Sequence, residues 1–131
     1  MKKITIRNEH LQAVILPDFG AVVAELAVDG VQMLRMNYGQ LGFANVLAGG
    51  IPVLFPFVSR IKNDEAFFDG VVFTMPMHGF VKDMPFAVAE QCEDRCVLEL
   101  AANEMTKRFY PFDFVLRITY ALEGNRLVTG A

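Results

Sequence analysis

The chain has 131 residues, a net charge of −3, 53% hydrophobic residues and a mean hydropathy of +0.34, so it holds enough apolar material for one domain with a sizeable core and too little length for two. Its 12 Lys and Arg residues are scattered and its pI is about 5.3, which excludes the basic patch of a nucleic-acid binder and the basic amphipathic helix of a membrane-surface protein. The opening MKKITIRNEH has the lysines of a signal peptide without an apolar stretch behind them.

The predicted elements are short strands separated by turns. ITIRN alternates apolar and polar residues and is followed by LQAVILP and the turn Pro17-Asp18-Phe19-Gly20. His10, between the first two strands, reads as an exposed histidine. AVVAELAV runs into Asp29-Gly30, a strong hairpin dipeptide, and VQMLRM returns. Residues 37–50 hold four glycines and read as loop. From Met36 to Ser59 there is no charge, a length that would cross a bilayer, but four glycines, two prolines, Asn37, Gln40 and Asn45 break any spanning helix. The stretch is expected to be buried loop and extended chain, with IPVLFPF extended because each residue before a proline is pushed out of the helical region.

Asp69-Gly70 marks a second hairpin between AFF and VVFTMP. FAVAEQC and CVLELAA are expected to pair around Glu93-Asp94-Arg95, with Cys92 and Cys96 facing each other across the turn as reduced structural thiols of a cytoplasmic chain. NEMTKRFYPF holds a short helical turn before Pro111. In FVLRITYAL, Phe114, Leu116, Ile118, Tyr120 and Leu122 fall on one face, the period of two of a half-buried antiparallel strand. EGNR then turns the chain into LVT, a return strand that leaves the sheet with an unpaired edge. The class is all-β and antiparallel, sandwich-like, as one domain over 1–131.

Three residues are candidates for chemistry. Arg60 ends the uncharged run, where an arginine offers fixed donors to hydroxyls or carboxylates, or simply reaches solvent while its stem packs on Phe57. His78 sits between Pro76 and Gly79 with Phe80 and Phe86 nearby, placed either to hydrogen-bond a neutral polar ligand or to serve as an acid or base, or held by structural hydrogen bonds. Lys82 and Asp83 read as a solvated pair. No Ser, His and Asp arrangement for a nucleophile is present, CxxxC is no zinc motif, and Gly49-Gly50 precedes extended chain rather than a helix that could cradle phosphate.

GGIPVLFPFVSRI, then a DG hairpin, then MPMHGF, together resemble the aldose 1-epimerase family, the galactose mutarotase-like proteins. Gly50 to Phe57, Arg60, Asp69-Gly70 and His78-Gly79-Phe80 match its motifs, and LQAVILPDFGAVVAELAVDGVQML and FYPFDFVLRITYALEGNRL extend the likeness over nearly the whole chain. The resemblance implies part of a β-supersandwich with a sugar pocket, corresponding to the family's N-terminal half, the C-terminal half being absent. It also implies a free aldose such as glucose or galactose as ligand, and interconversion of its anomers without a metal or organic cofactor. In that reaction a base takes the C1 hydroxyl proton while an acid protonates the ring oxygen. On this resemblance Arg60 and His78 line the sugar site. The family's principal catalytic histidine, in a segment like HPYF, and its glutamate base would lie beyond residue 131. Hexose-phosphate epimerases carry an arginine where this chain has Ala48, and many members have HGFAR where it has His78-Gly79-Phe80-Val81-Lys82. That loss argues for an unphosphorylated sugar, with Lys82 a partial substitute as a point charge. The expectation is thus an aldose 1-epimerase-like protein with an incomplete site. The alternative is a non-catalytic sugar-binding or self-associating relative. No nucleic-acid or membrane partner is expected in either case.

Overall fold

A computed structural model describes residues 1–131. Ten strands form two four-stranded antiparallel meanders and a separate hairpin. The first sheet has the order β1 (Ile4–Arg7), β2 (Leu11–Leu16), β3 (Val22–Val28), β4 (Val31–Gln32). The second has the order β10 (Arg126–Gly130), β9 (Val115–Glu123), β8 (Arg95–Ala101), β7 (Ala87–Gln91). Between them in sequence, β5 (Glu65–Phe68) and β6 (Val71–Thr74) pair only with each other.

The two meanders face one another. Ile4, Ile6, Leu11, Ala13, Ile15 and Val23 from the first sheet pack on Cys96, Leu98, Leu100, Ile118, Tyr120 and Leu122 from the second. Burying each such aliphatic side chain stabilises the fold by about 1.5–3 kcal/mol. The period of two in β9 places its side chains as the sequence requires, with Ile118, Tyr120 and Leu122 buried and Val115, Arg117 and Glu123 exposed. Tyr120 also ties the sheets together, its buried hydroxyl donating to the carbonyl of Ala21 at 2.8 Å. That burial raises the phenol's pKa far above its ordinary value.

Both DG hairpins form with two-residue loops. Asp29 and Gly30 have φ of 47° and 82°, and Asp69 and Gly70 have 51° and 77°, the left-handed pair that a type I′ turn needs. The strand after the first is only two residues long, so VQMLRM is mostly not strand. At the third hairpin the strand register puts Gln91, not Cys92, opposite Cys96. The two thiols therefore do not face each other. Cys92 is exposed and Cys96 is buried, and burial pushes the Cys96 thiol up to about 11. The last strand, β10, is longer than LVT and pairs only with β9.

The uncharged run behaves as two pieces. Its first piece covers the outer face of the first sheet, where Leu41 and Ala48 pack on Val14, Leu16, Val22 and Ala24. It contains a 3-10 turn (Tyr38–Gln40) and one helical turn, α1 (Asn45–Ala48), that the glycine count had concealed. The second piece, from Ile51, lies extended without becoming a regular strand. Ile51 bridges Val23, and Phe55 bridges Gly79. The Phe55 ring packs against Phe80, Tyr110 and Phe114, with centroids 5.8–6.2 Å apart. No helix is long and apolar enough to cross a membrane.

Candidate functional site

The bridge between Phe55 and Gly79 joins the two motifs. Gly79 has φ of 79°, and a side chain there would collide with the backbone carbonyl of Phe55. Only glycine lets the two backbones meet, and Phe80 then donates its N–H to that carbonyl at 3.0 Å. His78 is the third residue of the Pro76–Gly79 turn, closed by Gly79 N–H to Pro76 C=O at 3.0 Å. It takes φ of 67°, the position a type II turn usually gives to glycine. Ser59, also left-handed with φ of 70°, lies opposite it.

Two hydrogen bonds lock this pair. The His78 N–H donates to Ser59 C=O at 2.9 Å, and the Ser59 N–H donates to His78 Nδ1 at 2.8 Å. A backbone N–H can only donate, so Nδ1 is the lone-pair nitrogen. By that partner chemistry the neutral ring carries its proton on Nε2, which is the remaining donor. Two strained non-glycine residues held by reciprocal bonds are the kind of cost that folds keep at functional positions.

Arg60 follows Ser59 and is mostly exposed. Its Nε lies 3.5 Å from Asp64 Oδ1, an ion-pair distance too long for a good hydrogen bond. That oxygen is itself shielded from solvent and accepts no hydrogen bond, although the rest of the Asp64 side chain is open. The half-engaged arginine keeps guanidinium donors open to solvent that could meet a hydroxyl, whereas the enclosed Asp64 Oδ1 is out of a ligand's reach.

Lys82 departs from the solvated pair expected of it. Its side chain is 13% exposed, and the ammonium donates to Gly79 C=O and to Asp83 Oδ2, each at 2.8 Å. The lysine folds back onto the His78-Gly79 turn because that carbonyl points at it, and Gly20 leaves room for its backbone. Asn45 in α1 donates to Lys82 C=O at 3.2 Å and to Asp83 Oδ1 at 2.9 Å. A cleft of about 240 Å³ runs between Phe43–Leu47 on one side and Pro76, Met77, Lys82 and Asp83 on the other.

The structure therefore brings the backbone of Arg60's neighbour, His78 and Lys82 to one place around the Gly79 bridge. Sequence reasoning gave no site role to Ser59, Asp64 or Asn45, and read Asp83 only as the solvated partner of Lys82. Wider hollows of about 420 and 450 Å³ surround His10 and Asp29, away from the matched motifs. There His10 Nδ1 lies 3.2 Å from Asp29 Oδ1 with both side chains open to solvent, which agrees with the exposed histidine expected. Neither hollow is lined by a residue of GGIPVLFPFVSRI or MPMHGF.

Known proteins share this chain's family profile and fold. The profile of the aldose 1-epimerase family matches residues 2–130. The plasmid-encoded LacX protein of Lactococcus lactis subsp. lactis is 30% identical over 134 residues, covering 96% of this chain and 42% of LacX. A galactose mutarotase related enzyme from Lactobacillus acidophilus superposes with a TM-score of 0.84 at 30% identity, over 96% of this chain and 41% of that one. A galactose mutarotase-like protein from Lactobacillus casei shares the fold with a TM-score of 0.84 at 24% identity, over 98% of this chain and 42% of that one. The chain thus spans well under half the length of these relatives. With nearly every residue inside the profile and the fold matched at both ends, this chain belongs to the aldose 1-epimerase family.

Proposed function

We propose that this chain is the sugar-recognising part of an aldose 1-epimerase-type protein, binding a free aldose of the glucose or galactose type through Arg60, His78 and Lys82. The observation that carries the reading is the doubly hydrogen-bonded pair of Ser59 and His78, which fixes the imidazole against the residue that precedes Arg60, with Nε2–H free to donate. A neutral imidazole donor suits a sugar hydroxyl or ring oxygen, and the guanidinium adds donors without needing a proton change. The family reaction also needs a base at the C1 hydroxyl. In this reading that group, like the principal acid, is contributed outside these 131 residues, and the chain corresponds to the N-terminal half of the longer fold. The outer edge of β10 is where strands of a second half or a second copy would continue the sheet. The two free thiols fit a reducing, cytoplasmic setting.

Calorimetric titration with D-galactose and D-glucose tests this. Saturable binding to the wild type, weakened on the order of tenfold or more in His78→Ala, is expected for the loss of a buried-side hydrogen bond to the sugar. Equal binding by the variant, or none by the wild type, would refute it.

A further inference from the structure

The cleft beside the His78 turn has one cation, Lys82, and that cation already has its counter-ion. Two of the three ammonium protons are committed, to Gly79 C=O and to Asp83 Oδ2. Asp83 is not free to swing away, because Asn45 holds its other oxygen, and Asn45 is itself anchored by the Gly42 N–H at 2.6 Å. The polar wall is therefore electrically neutral and fixed across two segments 38 residues apart in sequence. What it offers a ligand is one remaining ammonium proton and the outer lone pairs of a carboxylate that is about half exposed. Hydroxyl groups both donate and accept, so they fit this wall, whereas a phosphate dianion would meet the Asp83 carboxylate. The apolar lining comes from both sides of the cleft, with Phe43 92% exposed and Leu47 and Met77 also open. Such open apolar side chains around a few polar groups suit the C–H edge of a pyranose.

We propose that this cleft is a subsite for an uncharged, hydroxyl-bearing portion of the sugar, and that Asp83 is the specificity-determining residue, excluding phosphorylated sugars by keeping Lys82 neutralised. The proposal rests on the sugar-binding reading above and deepens it. Selectivity of this kind works by penalising the wrong ligand rather than by improving the right one.

The test is titration of the whole chain with D-glucose and with D-glucose 6-phosphate, followed by calorimetry and amide chemical shifts, in the wild type, Asp83→Asn and Phe43→Ala. The wild type is expected to prefer glucose. Asp83→Asn, which keeps an acceptor for Lys82 but removes the charge, should shift the ratio toward the phosphate by about tenfold, and added salt should shrink that gain. Phe43→Ala removes a side chain that supports no core and should weaken glucose binding several-fold without unfolding the chain. An unchanged ratio in Asp83→Asn, or full glucose affinity in Phe43→Ala, overturns the proposal. Shifts at Ser59 and His78 with none at residues 43–47 and 82–83 would overturn the subsite and leave the sugar-binding reading standing. No binding of either sugar would overturn both.

Discussion

His78 owes its place to backbone geometry more than to side-chain packing. Its left-handed φ, the facing left-handed Ser59 and the glycine that lets Phe55 approach form one strained unit. Gly79→Ala should therefore lower stability by about 2 kcal/mol or more, from left-handed strain and the clash with the Phe55 carbonyl together, and lower the urea midpoint with it. A midpoint equal to that of the wild type would show that the two motifs do not depend on this contact. The unusual stretch MPMHGF drew notice in the sequence because proline, histidine and glycine stand together in it. Its partners did not, since Ser59 is met only through a turn 19 residues away and Asn45 reaches Asp83 across 38 residues. Lys82 misled for the same reason. A Lys-Asp pair in sequence reads as solvated, and only the carbonyl of Gly79 and the cover of α1 bury it.

Elements whose pattern is local were legible. The alternation of β9 and the DG turns follow from a period of two and from φ values that Asp and Gly tolerate, and both formed where expected. The run from Met36 to Ser59 was not legible in the same way, because its apolar residues have no strand or helix period. They follow the shape of the sheet they cover, and of the aromatic cluster around Phe55. The hairpin of β5 and β6 was expected, but its separation from both meanders was not, since pairing between elements is not written in either one's sequence. The join between the meanders is testable through Tyr120. Tyr120→Phe keeps the buried ring and deletes the bond to Ala21 C=O, so unfolding free energy should fall by about 1–2 kcal/mol. Tyr110→Phe, whose hydroxyl makes no protein hydrogen bond, is the control and should change little. Equal effects of the two substitutions would contradict the role given to the inter-sheet bond.

At the scale of the whole molecule, the antiparallel class and the family were both readable, the first from strand periods and turns and the second from GGIPVLFPFVSRI and MPMHGF. The layered arrangement that brings these two motifs together was not, because it depends on a parallel bridge between Phe55 and Gly79 in a part of the chain with no regular strand. That bridge brings Ser59, Arg60, Asp64, His78 and Lys82 into one neighbourhood in a chain that spans 42% of LacX. The measurement that tests this account most directly is a residue-by-residue map of amide and imidazole chemical shifts as D-galactose is added to the folded 131-residue chain. The account predicts saturable shifts centred on Ser59, Arg60, Asp64, His78 and Gly79, lost in His78→Ala. A folded chain whose spectrum does not move, or moves only around His10 and Asp29, would contradict it.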